Sequence, residues 1–310
     1  MIAFGRNHLV RCAVFAGAVL ALVGFFANTS SAQEVKKPSG PQIPKFEIPL
    51  EKRPTFTDRP PPRVQCRVRT VGSPDGMIET CTQIIDHGHA TGRALAEAHI
   101  ARGRAYLTKR DYDRAYADFS AALINEPGNV LAMHSRGLAS SGKLDFENAI
   151  KDYSEAIWHA PRDPDIYWDR ARAYMDAADY ARAIADLDQV VRLTPKPSGP
   201  LKDRCYARAV ANRELPKGLD DCNEAVKMYK NDIAALERRG LIYLRMGNFK
   251  NAIIDYNAVL KAQPSNAGAL YGRGVARRKF GEVLAGEDDI ASARQIKPEI
   301  VNALAGFGFE

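Results

Sequence analysis

The sequence predicts an all-α solenoid of helix-turn-helix repeats, and three observations predict it. An Arg-Gly or Arg-Ala step recurs with a period of 34 residues, at Arg102-Gly103, Arg136-Gly137 and Arg170-Ala171, and again at Arg239-Gly240 and Arg273-Gly274. Arg204-Cys205 fills the gap, one residue out of step. Small residues stand in phase with that period, and so do prolines. Periods of this length mark stacked supersecondary units, each too small to bury a core alone.

Six units tile residues 94–300 as 96–129, 130–163, 164–197, 198–232, 233–266 and 267–300. The fourth has one extra residue, which we expect near Leu215-Pro216. With residue 96 as position 1, position 8 holds Gly103, Gly137, Ala171, Cys205, Gly240 and Gly274. Position 20 holds Ala115, Ala149, Ala183, Gly218, Ala252 and Gly286. Two helices crossing at these points require small side chains there. Position 24 (Phe119, Tyr153, Leu187, Cys222, Tyr256, Ile290) fills the space between them, and position 27 is Ala or Val. Pro127, Pro161, Pro195, Pro264 and Pro298 at position 32 end each second helix, because proline lacks an amide donor. Lys230 breaks that rule in the fourth unit.

This pattern resembles the tetratricopeptide repeat (TPR) family, over about two thirds of the chain. The family's Trp at position 4 and Leu at position 7 are missing. Position 7 is instead Arg102, Arg136, Arg170, Arg204, Arg239 and Arg273, and position 23 is Asp118, Asp152, Asp186, Asp221, Asp255 and Asp289. Both positions lie near the helix crossing. One Arg–Asp pair per repeat is expected, bidentate and fixing helix register. A group repeated six times is structural and not a catalytic acid.

The resemblance implies a right-handed solenoid whose first helices line a concave groove for an extended peptide or a partner helix. Carried onto this chain, the groove positions are Ile100, Arg104 and Leu107, then His134 and Leu138, then Trp168, Arg172 and Met175. Lys202 and Tyr206, Leu241 and Leu244, and Tyr271 continue the face. Aromatics and Arg are the types enriched in interface hot spots. The Lys and Asn that clamp acidic chaperone tails are replaced by Ile100 and Arg104, so that ligand is not expected.

Ahead of the repeats the chain changes character. Arg6 and Arg11, the apolar run 12–27 and Ser30-Ser31-Ala32 form a signal-peptide pattern, with cleavage expected at Ala32-Gln33. The run is shorter than the ~20 residues of a membrane span. A periplasmic or secreted protein follows. Residues 33–62 are proline-rich and expected to be disordered. The formal charge of +7 is concentrated there: residues 36–71 hold nine Lys/Arg and three Asp/Glu, so the remainder is near neutral. Nucleic acid is therefore not expected as a ligand, whereas the arm offers a contact to an anionic envelope surface. That gives an alternative function, an envelope anchor binding lipid or cell-wall polymer, with the repeats as spacer.

Residues 63–93 read two ways. Val64, Cys66, Val68 and Thr70 alternate as a strand does, and Gly72-Ser73-Pro74-Asp75-Gly76 reads as a turn. Yet Thr80-Cys81-Thr82-Gln83-Ile84-Ile85 echoes Asp221-Cys222-Asn223-Glu224-Ala225-Val226, which favours a lone capping helix at about 77–87. Cys66, Cys81, Cys205 and Cys222 remain after export, and an oxidising compartment suggests two disulfides. Proximity favours Cys66–Cys81 and Cys205–Cys222; reduced, buried thiols are the alternative. Residues 301–310 form a tail. His87-Gly88-His89 is too loose for a metal site, and no phosphate loop, nucleophile elbow or zinc-protease helix occurs. No enzyme activity, cofactor or metal is expected, only a protein partner.

Overall fold

The computed structural model describes residues 73–88, 90–230 and 232–300. The signal segment, the proline-rich arm, Cys66 and the tail 301–310 lie outside the described residues. So does the expected Cys66–Cys81 bridge.

Among the described residues there are thirteen helices and no strand. Helix α1 (Pro74–Asp86) precedes six hairpins. These are α2 (Gly92–Thr108) with α3 (Tyr112–Asn125), α4 (Val130–Gly142) with α5 (Phe146–His159), and α6 (Pro164–Asp176) with α7 (Tyr180–Leu193). They continue as α8 (Ser198–Val210) with α9 (Leu215–Met228), α10 (Ile233–Arg245) with α11 (Phe249–Ala262), and α12 (Ala267–Phe280) with α13 (Val283–Ile296).

Local chemistry sets the boundaries. Asp111, Asp145, Asp179 and Asn248 cap second helices by accepting a backbone N–H, and Asn129, Asp163, Asp232 and Asn266 do the same for first helices. The five prolines at position 32 each stand just beyond the end of a second helix. The extra residue of the fourth repeat sits in the turn Ala211–Glu214, immediately before Leu215-Pro216, where Glu214 adopts a left-handed backbone.

The described residues 73–76 correct the turn reading. Ser73 accepts the Gly76 N–H at 3.1 Å and Pro74 occupies the first helical turn. Proline there loses no hydrogen bond. A Ser-Pro-Asp step serves turns and helix starts alike, and here it starts α1, three residues earlier than expected.

The core runs between the helices of each hairpin and on to the next. Each small residue at position 8 lies against the side chain at position 24. A Cβ on Gly103 would stand 2.8 Å from Phe119, and one on Gly137 2.6 Å from Tyr153. In the fourth repeat the two positions are joined instead: Cys205 and Cys222 form a disulfide with Cα atoms 5.7 Å apart.

The Arg at position 7 ties the stack together. Arg136 donates Nε and Nη2 to the two oxygens of Asp152 at 2.9 and 2.6 Å. The same fork joins Arg102 to Asp118, Arg170 to Asp186, Arg204 to Asp221, Arg239 to Asp255 and Arg273 to Asp289. All six carboxylates are buried. In four of the arginines Nη1 reaches back to the preceding second helix: Arg170 to Ser154, Arg204 to Asp188, Arg239 to Asn223 and Arg273 to Asn257. Arg102 reaches Thr82 of α1 in the same manner. Helix α1 thus takes the place of a second helix ahead of the first repeat, with Cys81 buried at the position-24 site.

Candidate partner-binding groove

First helices of successive repeats touch (α2 with α4, α4 with α6, α8 with α10, α10 with α12), whereas second helices of successive repeats scarcely meet. The array therefore curves with its first helices on the inner side. That face carries the residues expected from the repeat register, but unequally. Arg104 and Arg172 are exposed. Leu107, His134, Leu138, Met175, Lys202, Tyr206 and Leu241 are half-buried. Ile100, Leu244 and Tyr271 are buried and serve chiefly as core.

Trp168 also departs from the expectation of free groove surface. It is half-buried, its Nε1 donates to Asp203 Oδ2 at 2.6 Å, and its ring fills the space a side chain on Gly199 would take. It is a contact between the third and fourth repeats. A buried indole finds a partner for its N–H, and a neighbouring acid one repeat on supplies it.

Position 6 was invisible to the family pattern, yet it builds a polar ladder along the inner face. His134 Nε2 pairs with Asp169 at 2.7 Å, and Asp203 receives Arg238 Nη1 at 2.6 Å besides Trp168. Lys202 Nζ donates to Asp232 at 2.6 Å. Each link crosses from one repeat to the next element. Spacings of 35 between Trp168 and Asp203, and between Asp203 and Arg238, were the available signal.

Between α8, α10 and α12 the face opens into a cavity of about 320 Å³. Tyr206, Leu241, Leu244, Tyr256 and Tyr271 form its walls, with Glu237 and Arg238 as its charged members. Burial raises the pKa of the Tyr206 phenol and pushes that of Tyr256 well above its usual value. Burial likewise raises the Glu237 carboxyl, against the pull of Asn266 and Arg238. The cavity is apolar and aromatic, with one carboxyl and one guanidinium at its wall. Among the described residues no group of His, Cys, Asp and Glu is arranged to hold a metal ion.

Comparisons with known proteins agree with this architecture. The tetratricopeptide repeat family model matches residues 136–198 and 237–299. Tetratricopeptide repeat protein 34 of Homo sapiens is 34% identical over 113 residues, which is 33% of this chain and 20% of that protein. The chain thus matches only about a fifth of the length of that curated relative. A tetratricopeptide repeat protein from Parabacteroides merdae superposes with a TM-score of 0.58 at 16% identity, over 68% of this chain and 87% of that one. PilW, a type IV pilus biogenesis factor, also gives 0.58, at 15% identity over 68% and 98%. At such identities the likeness speaks for fold alone. The 34-residue register, the six hairpins and the family match together place the repeat array in the tetratricopeptide repeat family.

Proposed function

We propose that this protein is a non-enzymatic interaction scaffold, exported to the periplasm or beyond, that holds a protein partner on the face lined by its first helices. The observation that carries this reading is the apolar cavity between α8, α10 and α12, on the same inner face that carries half-buried Leu138 and Met175 and exposed Arg172 in the second and third repeats. Concave apolar surfaces with a few placed polar groups are where ligands bind. The signal-peptide pattern supports export, and a disulfide between Cys205 and Cys222 suits an oxidising compartment.

Affinity capture from envelope extract tests it, with chain 33–310 as bait beside Leu138→Ala/Arg172→Ala, both checked for helicity. A partner held by the first and lost from the folded double variant supports groove binding. Equal retention by both sinks it. The charge of the arm favours a second reading, contact of residues 36–71 with an anionic envelope surface. In that case capture of anionic vesicles vanishes when residues 33–71 are removed, falls steeply with salt, and ignores the groove substitutions.

A further inference from the structure

Several charges of the inner face are committed to one another. Asp169 holds His134, Asp232 holds Lys202, and Asp203 holds both Trp168 and Arg238. Glu237 is different. It lines the cavity next to Arg238, yet that guanidinium is turned to Asp203 and lies over the Tyr206 ring, 5.7 Å from its centroid. No ion pair joins Glu237 among the described residues. The Asn266 side chain, whose Oδ1 caps α12 and whose Nδ2 donates to Gln263, also hydrogen-bonds Glu237, but it carries no charge. Asp176 and Asp203 add negative charge around Tyr206, leaving Arg238 as the cation there.

Arg238 acts on the Glu237 carboxylate only from a distance, and a half-buried carboxylate outside any ion pair gains when a cation is brought into direct contact with it. The surrounding Tyr206, Leu241 and Tyr271 offer apolar area, and aromatic faces attract cations as well. We propose that the cavity between α8, α10 and α12 accepts a cationic–apolar pair from a partner peptide, a Lys or Arg beside an aliphatic or aromatic residue, with Glu237 receiving the cation. This rests on the groove reading and names the chemistry of its ligand. Acidic peptides are rejected by the same carboxylate, which makes the site selective as well as adhesive.

The site has a pH signature. The folded Glu237 carboxyl sits above its unfolded value, so its stabilising contribution is full at low pH and is lost as pH rises through the folded value. Glu237→Gln should therefore raise the melting temperature of the free protein at neutral pH, and the gain should fade on acidification. A cationic ligand reverses the balance: it prefers the ionised carboxylate, binds better as pH rises through that range, and releases a proton.

The experiment pans a random twelve-residue phage-displayed peptide library on chain 33–310. The strongest peptide is synthesised and titrated by calorimetry against wild type, Glu237→Gln, Glu237→Lys and Leu138→Ala/Arg172→Ala. We expect enriched peptides to carry Lys or Arg within two residues of an aliphatic or aromatic residue. Glu237→Gln should lose about tenfold or more in affinity, the weight of a charge-assisted contact. Glu237→Lys should select Asp or Glu instead. Enrichment without a cation, or unchanged affinity in a folded Glu237→Gln, overturns the proposal. If that peptide is nonetheless lost from Leu138→Ala/Arg172→Ala, the groove reading survives; if no peptide is enriched at all, both fall. Self-association of the wild type that Glu237→Gln abolishes would make a second copy the occupant, and that too overturns it.

Discussion

The second and fourth repeats close the same gap by different means. In the second, Gly137 lies under the Tyr153 ring, and these two positions meet through packing without a covalent link. In the fourth, the same two positions are Cys205 and Cys222, and a covalent bond spans them. The polar framework differs in step. Asp152 receives one guanidinium, that of Arg136, whereas Asp221 receives Arg204 and, at 2.5 Å, the buried Arg208. Arg208 fits because Gly218 replaces the usual alanine at position 20; a Cβ there would stand 3.3 Å from the Arg208 Cβ and 2.8 Å from Ile242. The sixth repeat repeats the trick, with Gly286 and with Arg277 donating to Asp289 at 2.8 Å. The first, third and fifth repeats keep alanine and carry Tyr106, Tyr174 and Tyr243 where the Arg would be; Tyr174 and Tyr243 have the position-7 guanidinium of their own repeat over the ring. One fold therefore tolerates two local solutions, provided positions 8 with 24, and 11 with 20, change together.

Breaking the acid separates the two solutions most sharply. Asp221→Asn leaves two guanidinium groups facing a neutral amide. Removing one partner of a buried ion pair costs about 3–5 kcal/mol. Asp152→Asn deprives only Arg136, whose side chain is 21% exposed and can turn to water. A loss nearer about 1.5–3 kcal/mol follows for a charged hydrogen bond. Urea denaturation of the two variants should show the larger shift for Asp221→Asn; equal shifts would mean that Arg208 adds nothing.

The disulfide comes next. It closes a loop of sequence separation 17, for which chain entropy gives about 3 kcal/mol. The third repeat suggests the control, because Ala171 and Leu187 fill its two positions. Cys205→Ala/Cys222→Leu copies that packing without the cross-link. If the bond acts through the unfolded chain, this variant should lose about 3 kcal/mol despite a filled core. Near-wild-type stability would show that volume alone is what the site requires.

Much of this was legible because the repeat multiplies every signal. A single Arg and Asp 16 apart mean little, but six such pairs fix both helices and their register. The helix boundaries were legible through the Asp and Asn caps and the prolines. What escaped has a common cause. The reach-back partners of the arginines are Thr82, Ser154, Asp188, Asn223 and Asn257, which share a hydrogen-bonding capacity but no residue type. Trp168 looked like a ligand anchor because its partner, Asp203, lies one repeat away and no local pattern joins them. Glu237 shares the register position of Trp168 and Lys202, but the sequence could not show that its neighbours are apolar or that the adjacent Arg238 pairs with Asp203.

The smallest effect lies in the hairpin turns. Position 15 takes a left-handed backbone along the array: Arg110, Leu144 and Ala178 at φ of 59°, 62° and 59°, Asn212 at 50°, and Gly247 and Gly281 at 72° and 102°. The fourth repeat uses an asparagine, which tolerates this region, and the fifth and sixth use glycine. The third uses alanine, whose Cβ crowds the carbonyl by about 1–2 kcal/mol. Glycine removes that strain but loses about 0.5–1 kcal/mol more chain entropy on folding. The net effect of Ala178→Gly should be a gain of up to about 1 kcal/mol, and Gly247→Ala should lose a similar amount. Neither site is otherwise constrained: Gly247 has open space where a Cβ would go, and Ala178 is exposed. Opposite signs in the two variants, read from denaturation midpoints, would assign the effect to backbone conformation. Equal signs would mean that the turns of the third and fifth repeats differ in more than their residue.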